Sequence, residues 1–288
     1  MPRWERNTPW RQGQLLTTAA IVAFDLTSDA NLDDVAAIVI SHDCDLAQLP
    51  SSEPSVELVV GRFIDNVNGT YTHCKNLRCL HLECTAGLTA RSVELLVLGR
   101  SSIPKESDSA PALANFQPRP DVVMTYRERR ILQRWLAARY DRPAFPDEFD
   151  RRLKHEVDVH DRLAAVFKTT GNHIPAIFFD VDAGEENVRA GPDDLYELYV
   201  TLVYSTHADP PTAEAAAKQA GARIRDMFNS RCKIQDKEGV EIWQWIELAG
   251  LEVISDEALT FAQSQLLVKW HADHISLKAD PLQPMIAG

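Results

Sequence analysis

Apolar residues fall in short, largely β-branched clusters through the first hundred positions of this chain, and at helical spacing through much of the remainder. Residues 10–24 turn at Gly13 and continue through small and β-branched residues, which predicts a first strand before a polar loop over 25–34. The apolar run at 35–40 predicts a buried strand, and further strands are predicted over 56–63, 79–84 and 93–98. Asn68-Gly69 has the composition of a tight hairpin turn with positive φ angles. Five or six short strands in about 95 residues point to a small β-barrel or a sandwich.

Residues 104–121 hold four prolines and no periodicity, the composition of a linker. From residue 126, Ile131, Leu132, Trp135 and Leu136 recur at helical spacing, with Arg127, Arg130 and Arg134 along another face. A second helix is predicted over 147–168, closed by Gly171-Asn172. Strands over 176–181 and 195–205, a helix over 212–229, one or two strands over 240–254 and a helix from 255 to about 274 complete the pattern. The predicted class is α+β: an N-terminal small β-barrel over 8–103, a linker over 104–122 and a C-terminal α+β domain over 123–288.

Composition adds bounds. A chain of 288 residues has room for two domains, and 45% hydrophobic with 25% charged residues is the balance of a globular protein. No apolar run reaches the roughly 18 residues that span a bilayer, and residues 1–6 are not followed by the apolar core of a signal peptide, so the expected location is cytoplasmic, away from the membrane. A net charge of -12 argues against binding nucleic acid over the whole surface. Only residues 123–170 are basic, with 11 Lys and Arg against 8 Asp and Glu. Arg127, Arg130 and Arg134, extended by Arg129, Arg139 and Arg142, are therefore the candidate nucleic-acid contacts. Glu128, Asp141 and Asp147 interrupt the stripe, so ion pairing within the chain competes with that role.

The densest chemistry is Ser41-His42-Asp43-Cys44-Asp45, directly after the 35–40 run. On a strand or its exit, alternate residues share a face, so His42 and Cys44 would point one way and Asp43 and Asp45 the other. If the protein is an enzyme, His42, Cys44 and Asp45 are the catalytic candidates: thiol and imidazole as nucleophile and base, or the two carboxylates around a divalent cation. In the alternative, Cys44 is a small buried hydrophobe and the aspartates cap a turn.

A second cluster runs from His73 to Cys84, with Cys74, Cys79 and His81 inside it. The cysteines are five apart with no Cys-x-x-Cys knuckle, and on a strand Cys79, His81 and Glu83 share one face while Leu80, Leu82 and Cys84 share the other. That spacing disfavours a closed zinc site, and zinc or another divalent cation is the only cofactor class these residues suggest. Lys75 and Arg78 suit an anion instead, and with Asp43 and His81 they form the candidate ligand-binding set. His155 and His160 are five apart on a predicted helix, about 140° round, which fails the two-histidine metalloprotease pattern. Asp180, Asp182, Glu185 and Glu197 suggest a metal-dependent nuclease, without the Glu-x-Lys that such sites carry on the next strand.

Arg11-Gln12-Gly13 at the opening of the chain and Val39-Ile40-Ser41 some 25 residues later resemble the first strand and a later strand end of the small barrel of MazF/PemK-like toxins. The match covers about 35 residues and departs where those toxins carry an Arg-Pro pair, since this chain has Val35-Ala36. The resemblance implies a barrel fold and, by fold analogy alone, ribonuclease activity. The run from Ser41 to Leu46 is also similar to a Cys-Asp motif of uncharacterised bacterial proteins of mobile elements and defence islands. The resulting expectation is a bacterial binding or accessory component of a defence or mobile-element system, with a protein partner and a ligand at the barrel site. The alternative is a hydrolase or nuclease that uses residues 42–45.

Overall fold

The computed structural model describes residues 3–28, 31–87, 89–138, 140, 145–185 and 189–271. The chain divides into two compact units, one of Met1–Val67 with Leu77–Arg139, the other of Asn68–Asn76 with Tyr140–Gly288. Strands and helices are mixed in both, as the α+β pattern predicts. Among the described residues, no helix is long and apolar enough to cross a membrane.

The first unit contains helix α1 (Thr18–Ala23), strand β1 (Val35–Val39), the one-turn helix α2 (Asp43–Leu46) and strands β2 (Ser55–Ile64), β3 (Cys79–Ala86), β4 (Thr89–Pro104) and β5 (Val122–Met124), then helix α3 (Tyr126–Ala138). Its five strands form one sheet in the order β1-β2-β4-β3-β5. All of its pairings are antiparallel, and the sheet curls into a half-barrel. Every residue of β1 is buried, as the unbroken apolar run requires. Leu80, Leu82, Val93 and Leu95 fill the inner face of β3 and β4.

Three expectations fail here for local reasons. The strand predicted inside 10–24 is mostly α1, because the Thr17 side chain accepts from Ala20 N and caps a turn that opens on Thr18-Ala19-Ala20. Only Leu15 bridges to β1, opposite Ile38. The stretch read as a linker is tied into the first unit: Lys105, Ala112 and Leu113 are buried, Arg119 N donates to Leu15 O at 2.8 Å, and Val122 opens β5. Asn68-Gly69 is no hairpin turn either, since the Asn68 side chain accepts from Thr70 N and starts a 3-10 turn over Gly69–Tyr71.

The second unit holds helices α4 (Asp147–Arg151) and α5 (His160–Thr170), strands β6 (Ala176–Val181) and β7 (Tyr196–Tyr204), helix α6 (Pro210–Cys232), the hairpin β8 (Lys233–Gln235) and β9 (Glu241–Trp243), strand β10 (Ile246–Ser255), helix α7 (Phe261–Leu266) and strand β11 (Val268–Lys269). Its main sheet runs β10-β7-β6-β11, with β7 and β10 parallel across the α6 crossover. Phe149, Phe179, Tyr196, Phe228 and Trp270 dominate the core. The single helix predicted over 147–168 is broken: a π turn covers Arg152–Glu156, and Asp158 takes a φ of 52° before α5 begins. The last helix shrinks to α7, because β11 pairs with β6 from Val268 onward, and the predicted stretch beyond 271 lies outside the described residues.

Candidate functional site

The 41–45 cluster is a helix start and not a strand with two faces. His42 is the N-cap of α2, and its Nδ1 accepts from Cys44 N at 3.2 Å. Acidic residues are favoured in a first turn, where the helix dipole presents its positive end, and Asp43 and Asp45 both sit there. Lys105, buried, donates from Nζ to Asp45 O at 2.6 Å and Gln48 O at 3.0 Å, closing the other end of the turn.

This geometry weakens each catalytic role proposed for the cluster. At about 100° per residue, Asp43 and Asp45 diverge by about 200° and cannot grip one cation. The His42 nitrogen that lacks a proton is occupied by a main-chain N–H, so it is not directed at the Cys44 thiol. Cys44 is exposed and not the buried hydrophobe of the alternative expectation. Asp43 does cap, but across the fold: its Oδ1 accepts from Gln12 N at 2.8 Å.

Gln12 leads to the pocket. Its side chain is buried, donates from Nε2 to Ile40 O at 2.7 Å and accepts from Gln133 Nε2 on α3 at 2.7 Å. Residues 13–16 lie along β1, with Gly13 N donating to Val39 O, Val39 N to Gln14 O and Leu16 N to Ala37 O. Arg119 N then pairs with Leu15 O, so residues 13–16, which lie along the edge strand β1, meet the segment that leads into the edge strand β5. A cavity of about 460 Å³ lies at this seam, lined by residues 11–14, 118–120, 122–124 and Arg129. Gly13 is required there: its φ is 87°, and a Cβ would come within 3.3 Å of Met124 Sδ.

Three guanidinium groups, Arg11, Arg119 and Arg129, line the cavity, and among the described residues no Asp or Glu does. Arg11 Nη1 donates to Thr8 O at 2.5 Å and Trp10 O at 2.7 Å, which anchors the group on the rim. Arg119 uses Nε and Nη2 on Asp121, a pair that holds the Asp121 carboxyl below the usual range, and Nη1 takes no part in it. Pro118, Pro120, Val122 and Met124 supply apolar wall. Such a lining accepts an anionic group together with an apolar or planar body.

The remaining candidates do not converge on this cavity. Lys75 belongs to the second unit, where it is fully buried and donates to Thr72 Oγ1 at 3.0 Å, Gly171 O at 2.7 Å and Ile174 O at 3.0 Å. Burial holds its ammonium well below the ordinary lysine range, so its role is to tie residues 68–76 to α5 and not to meet a ligand. Arg78 precedes β3 and its carbonyl accepts from Val97 N. Arg127, Arg130 and Arg134 are exposed on α3, Arg130 donates to Gln133 Oε1, and Arg139 and Arg142 fall outside the described residues. In the second unit Arg152 is buried against Glu148 and the carbonyls of Gly191, Asp194 and Trp245, a structural tie.

His81 sits in a different arrangement. Antiparallel register places Arg62 of β2, Glu94 of β4 and His81 of β3 in one row across three strands. Arg62 Nε donates to Glu94 Oε1 at 2.8 Å, and His81 Nε2 meets Glu94 Oε2 at 3.1 Å. Burial lowers the imidazole pKa, favouring the neutral form. Burial alone would raise the Glu94 carboxyl, but hydrogen bonds from His81 and Arg62 outweigh it and hold it below the usual range. Glu94, Arg62 and Arg119 carried no sequence signal as site residues: Glu94 and Arg62 gain meaning only through register, and Arg119 lay in a stretch whose prolines suggested a linker. The chain matches no protein-family model, no curated protein and no solved structure.

Proposed function

We propose that the first unit is a binding module for a phosphate-bearing ligand of nucleotide size, and that the protein acts as a binding or accessory component and not through a nucleophilic cysteine. One observation carries this: among the described residues three arginines and no acidic residue line the seam cavity, in a chain whose net charge is -12. Guanidinium groups match phosphate oxygens in pairs, and a cavity of about 460 Å³ takes more than an isolated ion. Leu96 and Leu98 of β4, exposed at 48% and 71%, offer apolar surface for the protein partner of an accessory component. A place in a bacterial defence or mobile-element system belongs to the same proposal and rests on the Ser41 to Leu46 run.

The nuclease alternative has one observation in its favour, that the residues resembling MazF/PemK-like toxins, Arg11 to Gly13, line the cavity. Metal-free RNA cleavage also needs a proton acceptor near the ribose, and among the described residues the lining offers arginine and glutamine but no His, Asp or Glu. Calorimetric titration with inorganic phosphate, pyrophosphate, mononucleotides and a short RNA, with gel analysis of the RNA, separates the two. Binding of a phosphorylated ligand that Arg129→Glu weakens at least tenfold, with the RNA intact, supports the module. Cleavage lost in Arg11→Glu would move the assignment to a ribonuclease, and absence of binding by every probe would refute the phosphate site.

A further inference from the structure

We infer that Cys79, His81 and Glu94 form a binding site for a divalent transition metal of the zinc class, with Arg62 orienting the carboxylate. Cys79 Sγ, His81 Nε2 and a Glu94 carboxylate oxygen all lie within 4.8 Å of one another, with Cys79 and His81 buried. The individual separations are 3.1 Å from Nε2 to Oε2 and 3.9 Å from Sγ to Oε2. Metal bonds of about 2.0–2.3 Å at tetrahedral angles set donor atoms about 3.3–3.6 Å apart, so side-chain shifts of about an ångström close the site. The protein already arranges these three donors nearly as a metal would.

Strand geometry explains why the set converges. His81 and Glu94 are direct partners in the β3–β4 register, and Cys79, two residues earlier on β3, projects from the same face. Arg62 engages Oε1 through Nε and Nη2, which turns Oε2 toward Cys79 and His81. Orientation of a ligating carboxylate by an outer partner is a common feature of metal sites. The donor set of one thiolate, one imidazole and one carboxylate suits zinc or cobalt and not magnesium or calcium, which take oxygen. Three protein ligands leave a fourth position for water or an exogenous ligand, unlike a closed structural zinc site. On binding, the Cys79 thiol proton leaves to solvent, and the imidazole proton moves from Nε2 to Nδ1, so His81 stays neutral.

The five-residue spacing of the three cysteines disfavours a closed zinc site on sequence alone. The structure sends Cys84 to the opposite, inner face of β3, and Cys74 belongs to the second unit. Glu94 comes from the neighbouring strand, where no spacing rule reaches it.

Cobalt(II) titration of the full chain, read by absorption and calorimetry, tests the site. A stoichiometric complex with a thiolate-to-cobalt charge-transfer band is expected, competed by zinc, lost in Cys79→Ser and retained in Cys44→Ser. Glu94→Gln keeps the side-chain shape and should weaken the metal at least tenfold. Arg62→Gln should weaken it by about 10–100-fold, as loss of an outer partner does. No thiolate band in the wild-type chain overturns the site, as does a band lost in Cys44→Ser but kept in Cys79→Ser. If Cys79→Ser fails to fold, Glu94→Gln decides: unchanged affinity there rejects the assignment.

Discussion

Replacing Gly171 by Ala probes how residues 68–76 are built into the second unit. The two main chains touch at this crossing: a Cβ on Gly171 would lie 2.3 Å from Gly69 O and 2.6 Å from its carbonyl carbon. Both are backbone atoms, so no flexible side chain can yield. Overpacking of this kind costs about 1–3 kcal/mol. Parting the chains also loosens the 2.7 Å bond from Lys75 Nζ to Gly171 O, and a hydrogen bond contributes about 0.5–1.5 kcal/mol. Opposing this, Gly171 has helical angles that Ala adopts readily, φ -64° and ψ -20°, and the stiffer unfolded chain returns about 0.4–1 kcal/mol. The net is a loss of about 1–4 kcal/mol, or about 2–16 °C in Tm at about 2–4 °C per kcal/mol. Thermal unfolding followed by circular dichroism measures it. Gly69→Ala strikes the same crossing, since its Cβ would meet Phe167 O at 2.4 Å, so the double variant should lose less than the sum. A Gly171→Ala protein that melts with the wild type, or a strictly additive double variant, would refute the reasoning.

Further predictions concern buried charge and thiols. Arg152→Met leaves the carbonyls of Gly191, Asp194 and Trp245 and the Glu148 carboxylate without their donor, and should destabilise by about 3–5 kcal/mol in chemical denaturation. Arg152→Lys should not restore stability, because an ammonium lacks the planar fork. Hydrogen bonds from Arg151 and then Arg152 hold Glu148 down to about 2, so its contribution is complete above the ordinary Glu range and is lost as pH falls from about 5 toward 2. Glu148→Gln should flatten stability against pH in that window, and an unchanged slope would refute the pairing. Burial pushes the Cys84 and Cys232 thiols up to about 12, whereas Cys44 is exposed. A thiol reagent at neutral pH should therefore label the native chain at one fast site that disappears in Cys44→Ser.

Periodicity made the regular elements legible. The 35–40, 56–63 and 176–181 runs are β1, β2 and β6, and the Ile131, Leu132 and Trp135 spacing is the buried face of α3. Positions decided by one tertiary contact were not legible. Residues 42–45 form a helical turn because His42 caps it and Lys105, sixty positions away, closes it. The proline-rich 104–122 stretch is tied into the first unit because its amides and apolar side chains find partners at Leu15 and β3. Residues 68–76 leave the first unit because Gly69 meets Gly171 and Lys75 finds three acceptors there. Of the candidate site residues, sequence placed Cys79, His81 and Glu83 on one strand face, and their alternate register with Leu96, Glu94 and Ser92 of β4 agrees. Strand register brings Glu94 to His81, and the seam pocket brings Arg119 beside Arg11 from far along the chain, and no local pattern encodes either.

The binding of a phosphorylated ligand at the seam cavity is tested most directly by salt-dependent calorimetry on the full chain and on Arg129→Glu. Mononucleotide or pyrophosphate should bind the wild-type protein with affinity that falls as salt rises, and Arg129→Glu should lose tenfold or more of it while melting at the wild-type temperature. Equal affinity of the two proteins, or binding indifferent to salt, would contradict an arginine-lined anion site.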